Sequence, residues 1–216
     1  PDALEAEHGF ANTHMVQNLN TNIALNHLGE YWMFEEVLHK YHACCHGLHA
    51  AIEALIKVRE QNNLHAENIK NISISVAPRY LKICNIMAPK TGLEAKFSFR
   101  LSAAMVLARR DTAVLSTFSD EACDNEELIA LRDQVSVLPD PKLSETEAFV
   151  QVQTNDDKIL NANFDINQPQ SYKIKKEKLM HKASALLGEN TAYQIWDVIS
   201  LGDPEKFKTL TQFKLN

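Results

Sequence analysis

The sequence predicts an α+β fold: a small, mostly antiparallel sheet with helices packed on one face, followed by C-terminal helices. Three observations carry this. Leu48, Ala51, Ile52, Leu55 and Val58 recur at helical spacing and form one apolar stripe. Ile72, Ile74 and Val76 alternate with Asn and Ser, the pattern of a half-buried strand. "EAFVQVQTNDDKILNANFD" holds two alternating runs around a polar "NDDK", a β-hairpin signature. The alternation of helix and strand is irregular, and a hairpin is the clearest pairing, which favours a sheet with helices on one side.

The elements follow in order. "PDALEAEHGFANTH" reads as a loop leading into a short helix, and "YWMFEEVLHK" is aromatic and β-branched enough for a strand. The helix carrying the apolar stripe ends at "EQNN". "NISISVAP" is a strand stopped by Pro78. "EAKFSFRLSAAMVLARR" reads as one strongly apolar helix with small residues suited to close packing. "STFSDEACDNEELIALRDQ" offers Ser119 or Asp124 as an N-cap, with acidic residues in the first turn as the helix dipole favours. "VSVLPD" is a strand halted by Pro139, and the hairpin follows. After the loop "NQPQS" come two helices, one ending at Gly188 and one interrupted at Gly202 and Pro204. That loop divides the chain into an α+β region over 1–170 and a helical segment over 171–216.

Of 216 residues, 45% are hydrophobic, enough for a sizeable core. A net charge of -6 argues against nucleic-acid binding through a broad basic surface. The basic run "KIKKEK" reads as a solvated helix face, and Arg109-Arg110 as a complement to a helix C-terminus. No apolar run is long enough to span a membrane. Cys44, Cys45, Cys84 and Cys123 lack the spacing of a disulfide framework, so reduced thiols and a cytoplasmic setting are expected. Pro1 stands first, which raises the expectation of a piece of a longer protein. Glycine-rich phosphate loops and a GxSxG elbow are absent from the sequence.

The chemistry concentrates in "KYHACCHGLHAAIEAL". Lys40, His42, Cys44, Cys45, His46 and His49 precede or open a helix, where unpaired amide N–H groups and the dipole favour an anion. Metal ligation is one reading, although no CxxC or HExxH supplies the usual partners. Proton chemistry is a second. Abstracting a proton α to a carboxylate needs a base near neutrality and a cation for the developing charge, and imidazoles and a lysine meet those needs. Glu53, one turn after His49, would orient or charge that ring. A third reading is structural: solvated histidines beside small core cysteines.

The same stretch resembles the Lys-x-Tyr-Pro-x-Cys-x-x-x-His-x-x-x-Asp-Ala helix start of the MmgE/PrpD family. "DALEAEHGF" resembles that family's Leu-Glu-Gly-x-x-Gly-Phe segment, "EAKFSFRLSAAMVL" its Ala-Lys-Phe-Ser-Leu-Pro-Tyr segment, and "NQPQS" its Asn-Pro-x-Ser turn. The family includes 2-methylcitrate dehydratase, cis-aconitate decarboxylase and iminodisuccinate epimerase. The resemblance implies a cytosolic or organellar homodimer acting on di- or tricarboxylates without cofactor or metal. It also implies a helical domain, a smaller α+β lid, and an active site between them. This chain would be the lid plus closing helices, with residues 171–216 packing on the helical domain, and it would be inactive alone.

Residue by residue, the resemblance makes Lys40 the group that holds a substrate carboxylate and His49 the histidine of the motif. Cys45 falls where some members carry an acid-base histidine, and His46 is the nearest imidazole. Leu101 replaces a tyrosine that reaches substrate in several members, and Arg100 replaces a proline and would supply a cation there. Ala6 replaces a glycine, and Glu53 an aspartate. The implied catalytic residues are His49 and His46, and the implied substrate-binding residues are Lys40, Cys45 and Arg100. The alternative is a non-catalytic dimerisation or regulatory module derived from the same family, which the loss of the tyrosine favours.

Overall fold

β1 (Ile69–Val76) sits inside a four-stranded sheet of order β2-β1-β3-β4, with β2 at Val135–Pro139, β3 at Glu147–Thr154 and β4 at Ile159–Asp165. The computed structural model describes residues 26–32, 34, 37–202, 205, 206 and 208. The chain divides into two compact units, 1–38 and 39–216. In the first, the amides of Glu30 and Tyr31 both donate to the His27 carbonyl, closing a turn. Everything below belongs to the second.

The sheet is mixed. β1 runs antiparallel to β3 and parallel to β2, and β3 and β4 form the expected hairpin. Register explains the alternation in the sequence. Ile72 faces Val135 on one side and Val152 on the other, and Ile74 faces Val137 and Val150. Val150 and Val152 in turn face Ala162 and Leu160. These side chains share one face and are covered by helices, while Ser73, Gln151 and Asn161 line the opposite face, as in a sheet buried on one side only. The hairpin turn closes with the Thr154 amide donating to the Lys158 carbonyl, and Asp157 takes φ 61°. Asp tolerates the left-handed region better than a branched residue does.

Two helices make the buried layer. α1 (His49–Gln61) lies on β3 and β4 and buries Ala51, Ile52, Leu55 and Val58. α4 (Phe99–Leu107) packs against α1, almost fully buried. Between them in sequence come α2 (Tyr80–Ile83) and α3 (Gly92–Ala95), and after them α5 (Asp120–Cys123) and α6 (Glu126–Asp133). α7 (Tyr172–Leu187) and α8 (Glu189–Leu201) pack on each other, turned at Gly188, which has φ 81°. α8 ends at Gly202 in the left-handed region, and Pro204 lies outside the described residues.

Three expectations are corrected. The described residues of "YWMFEEVLHK" (31, 32, 34 and 37–40) contain no strand, because β propensity makes a strand only where a paired edge receives it. "EAKFSFRLSAAMVLARR" is two helices, because Ser98 caps α4 by accepting from the Leu101 amide at 3.2 Å and so breaks the run. That run also stops early, at Leu107, and Arg109 takes φ 57°. The segment after Ser119 is likewise two helices: Ser119 caps α5, but Asn125, not Asp124, caps α6 through the Leu128 amide. The expectations for "PDALEAEHGFANTH", including Ala6, lie outside the described residues.

Candidate active site

The chain enters α1 through a short 3-10 turn, His46–Leu48, which begins after Cys45. Two backbone bonds fix this entrance. The Ala43 amide donates to the Thr112 carbonyl at 2.7 Å, and the Cys45 amide donates to the Lys96 carbonyl at 3.0 Å. The i,i+4 spacing of His42 and His46, and of Cys45 and His49, would let each pair share a face if the helix had already begun. The structure pairs them differently, because residues before His46 are not helical. In a 3-10 turn residues i and i+3 eclipse, and His46 and His49 accordingly meet edge-on with ring centroids 5.1 Å apart. His42 meets His49 from the other side at 4.9 Å. The result is a row of three imidazoles, His42, His49 and His46.

The outer end of the row at His42 is anchored. Its Nδ1 lies 2.8 Å from Thr112 Oγ1, and its Nε2 faces Glu53 Oε1 at 3.4 Å, long for a hydrogen bond but close for an electrostatic contact. Glu53 accepts from Lys178 Nζ of α7 at 2.5 Å. Burial pushes the Glu53 carboxyl up, yet His42 and Lys178 together outweigh it and hold the group below its ordinary value. His42 and Glu53 line a groove of about 810 Å³ together with Tyr41, Asp111, Lys178 and His181.

The middle of the row is dry. His49 is 1% exposed, and its Nε2 has no hydrogen-bond partner. Burial first, then His42, His46 and Lys40, push its imidazole down to about 2, against the Cys44 backbone, whose hydrogen bond acts the other way. It is therefore neutral at physiological pH. His46, at the other end, is half-buried, and burial and then Lys40 lower it too.

Cations gather around Cys44, and of them Lys40 also acts on His46 and His49. Lys40, Lys182 and Lys96 all act on the Cys44 thiol, opposing the burial and the Cys45 charge that push it up to about 12. Burial lowers the Lys182 ammonium, and repulsion from Lys40 and Lys96 acts in the same direction, against Cys44 and Asp111. Lys182 donates to the Ala113 carbonyl at 2.7 Å. Among the described residues, no carboxylate forms a salt bridge with Lys40, Lys96 or Lys182. Lys40, Lys96 and Lys182 thus leave a local excess of positive charge around Cys44, a field that favours an anion.

Of the residues singled out in the sequence, Lys40, Cys45, His46 and His49 come together here. Arg100 does not join the charges acting on Cys44, His46 or His49; it is half-buried, with its Nε unpartnered. Leu101 is fully buried in the core. Sequence reasoning missed Lys96 and Lys182. Lys96 sits inside the quoted "EAKFSF" segment, whereas Lys182 comes from α7 and leaves no local signal. Among the described residues no His, Cys, Asp and Glu side chains gather into a group of three or more that could hold a metal ion. No described helix is long and apolar enough to cross a membrane.

The family model of the MmgE/PrpD C-terminal domain covers residues 42–194, from the first imidazole of the row to the middle of α8. No curated protein matches the chain.

Proposed function

Because the chain belongs to the MmgE/PrpD family, we propose that it is the carboxylate-gripping part of a lyase or isomerase that removes a proton α to a carboxylate of a di- or tricarboxylate. The observation that carries this is the cluster of Lys40, Lys96 and Lys182 around Cys44, with no salt bridge to a carboxylate among the described residues, next to the half-buried His46.

Lys40, Lys96 and Lys182 hold a substrate carboxylate. His46 is the least buried imidazole of the row, and since its Nε2 is enclosed without a partner, its Nδ1 edge is the one assigned to the reaction. It takes the α proton; the C–H electron pair moves into the adjacent carboxylate, and the ammonium groups stabilise the charge that develops there. Lys40 depresses His46 in the empty site. A bound carboxylate neutralises Lys40, so substrate itself strengthens the base. His49 is too dry to carry a charge and orients His46 through the edge-on ring contact. Cys45 lines the entrance. Expulsion of hydroxide, loss of CO₂ or return of the proton to the other face would complete a dehydration, decarboxylation or epimerisation. The reading needs no cofactor. Family membership also leads us to infer a homodimer in which α7 and α8 pack on a helical domain, which light scattering on the complete polypeptide tests.

The experiment is an assay of the complete polypeptide against a panel of polycarboxylates, with Lys40→Ala, Lys182→Gln and His46→Asn. Each lost charge-assisted contact is worth about 1.5–3 kcal/mol, so kcat/KM falls roughly 10–150-fold per lysine, with KM rising. His46→Asn lowers kcat. Wild-type rates in all three variants, on a substrate the protein turns over, would refute this site assignment, and no turnover of any member of the panel would leave the non-catalytic module as the better description.

A further inference from the structure

Cys45 and Cys84 are both free, and their sulfurs lie 3.4 Å apart, with Cys84 donating to Cys45. We propose that they are an oxidisable pair: peroxide converts Cys45 to a sulfenic acid, and Cys84 condenses with it to a disulfide that fastens the entrance of α1 to the end of α2.

Three features of the structure make the pair more than a coincidence of packing. The first is exposure. Cys45 is half-buried, whereas Cys84 is fully buried. One sulfur is therefore placed to react and the other to resolve. The second is backbone restraint. The turn after α3 holds both residues: the Cys45 amide donates to Lys96, and the Phe99 amide donates to the Cys84 carbonyl at 3.1 Å. The neighbouring Ile86 amide donates to Phe97 at 3.2 Å, and Asn85 bridges Ser98. The third is the seat of α2. Tyr80, one turn before Cys84, lies on Gly47, where an added Cβ would stand 2.6 Å from Tyr80 Cδ1. α2 thus spans the 3-10 turn, with Tyr80 on Gly47 and Cys84 on Cys45. A disulfide needs S–S near about 2.05 Å, so the sulfurs must close by roughly 1.3 Å, within reach of side-chain rotation.

The chemistry balances. The Cys45 thiolate attacks hydrogen peroxide; the O–O bond breaks, an S–O bond forms, and hydroxide leaves. The Cys84 sulfur then displaces the sulfenic oxygen, the S–S bond forms, and the Cys84 proton departs with that oxygen as water. Two thiols and one peroxide give one disulfide and two waters, and the peroxide takes the two electrons. The other cysteines are poorly placed for this. Cys44 is buried, and the Cys123 thiol donates to the Thr91 and Ser119 carbonyls beside α3 and α5.

Formation of the bond does not depend on the catalytic reading above. Its effect on turnover does, because it consumes the Cys45 thiol and freezes the turn that carries His46.

The test is hydrogen peroxide treatment of the complete polypeptide, alkylation of remaining thiols, and intact and peptide mass spectrometry. The expected result is a loss of about 2 Da and a linked peptide pair joining Cys45 to Cys84, reversed by a dithiol reductant. Cys84→Ser loses the link and accumulates sulfenic acid at Cys45, trapped by a 1,3-diketone. Cys44→Ser keeps the link and assigns it to Cys45. If Cys84→Ser does not fold, the wild-type and Cys44→Ser maps decide alone. A link through Cys44 or Cys123, oxygen adducts without a link, or no reaction at all would overturn the proposal.

Discussion

Lys178→Met removes the ammonium that α7 places on Glu53, beside His42. Methionine keeps most of the stem, so contact with the Tyr41 and Phe164 rings, which the ammonium approaches at 5.3 and 5.6 Å, is largely preserved. The bond from Lys178 Nζ to Glu53 is lost, and a carboxylate whose side chain is only 8% exposed keeps His42 as its sole partner. Breaking a fully buried pair from one side costs about 3–5 kcal/mol. Lys178 is 29% exposed, and water partly replaces it. We therefore take the value for a single hydrogen bond to a charged group, about 2 kcal/mol, and a fall in Tm of roughly 4–8 °C for a chain of this size.

The pH dependence makes this prediction specific. In the wild type the Glu53 carboxyl is lowered, so its contribution to stability is present above the unfolded carboxylate value and lost as pH falls through the folded one. Without Lys178, burial is opposed by His42 alone, and the carboxyl moves up. The cost of the substitution is then full near about pH 7, smaller near about pH 4 where the variant's carboxyl takes up a proton first, and zero only below the lowered wild-type value, where the carboxyl is protonated in both proteins. Urea unfolding at the two pH values measures it. Introducing Glu53→Gln first should make Lys178→Met nearly neutral. A cost that is equal at both pH values, or that persists once Glu53→Gln is in place, would refute the argument, since neither outcome needs a buried carboxylate.

Two further predictions concern the entrance and its neighbour. Gly47→Ala forces the Tyr80 ring aside, because the new Cβ would stand 2.6 Å from Cδ1 and closer still to Cε1; overpacking of this kind costs about 1–3 kcal/mol, read by thermal unfolding. A Gly47→Ala/Tyr80→Ala double variant should recover that coupling, and additive losses would argue against the contact. Ser98→Ala removes the hydroxyl that accepts from Leu101 in a fully buried cap; a loss of about 1 kcal/mol in urea unfolding is expected, and no change would mean that the cap does not stabilise the helix.

Much of the layer structure was legible because its signals are periodic and local. The stripe Ala51, Ile52, Leu55 and Val58 is the face that α1 turns to the sheet. The alternation in β1 is the face that pairs with Val150 and Val152. Ser119, Gly188 and Gly202 end or begin helices as their chemistry requires. What failed was punctuation inside apolar runs. Ser98 is surrounded by hydrophobic residues and looks like a helix interior position. Its role as a cap depends on the Cys84 carbonyl, which takes the Phe99 amide from a distant part of the chain. The aromatic stretch from Tyr31 failed for the opposite reason: strand propensity was present, and no ladder partner was found among the described residues.

The candidate site divides in the same way. Lys40, Cys45, His46 and His49 were readable because ten consecutive residues contain them. The other two cations were not, since only tertiary structure brings Lys96 from the end of α3 and Lys182 from α7 to that entrance. This dispersal has a physical consequence. α7 is fastened to the sheet unit by polar contacts: Lys178 on Glu53, His181 on Asp111 at 2.9 Å, and Lys182 on the Ala113 carbonyl. Asp111 and Ala113 flank Thr112, which holds both the Ala43 amide and the His42 ring. The segment that docks α7 is thus the segment that sets the outer end of the imidazole row. A displacement of α7 would withdraw Lys182 from the lysine cluster around Cys44 and loosen His42 together. Cation count and imidazole alignment are therefore one structural variable here, set by how firmly a C-terminal helix is held.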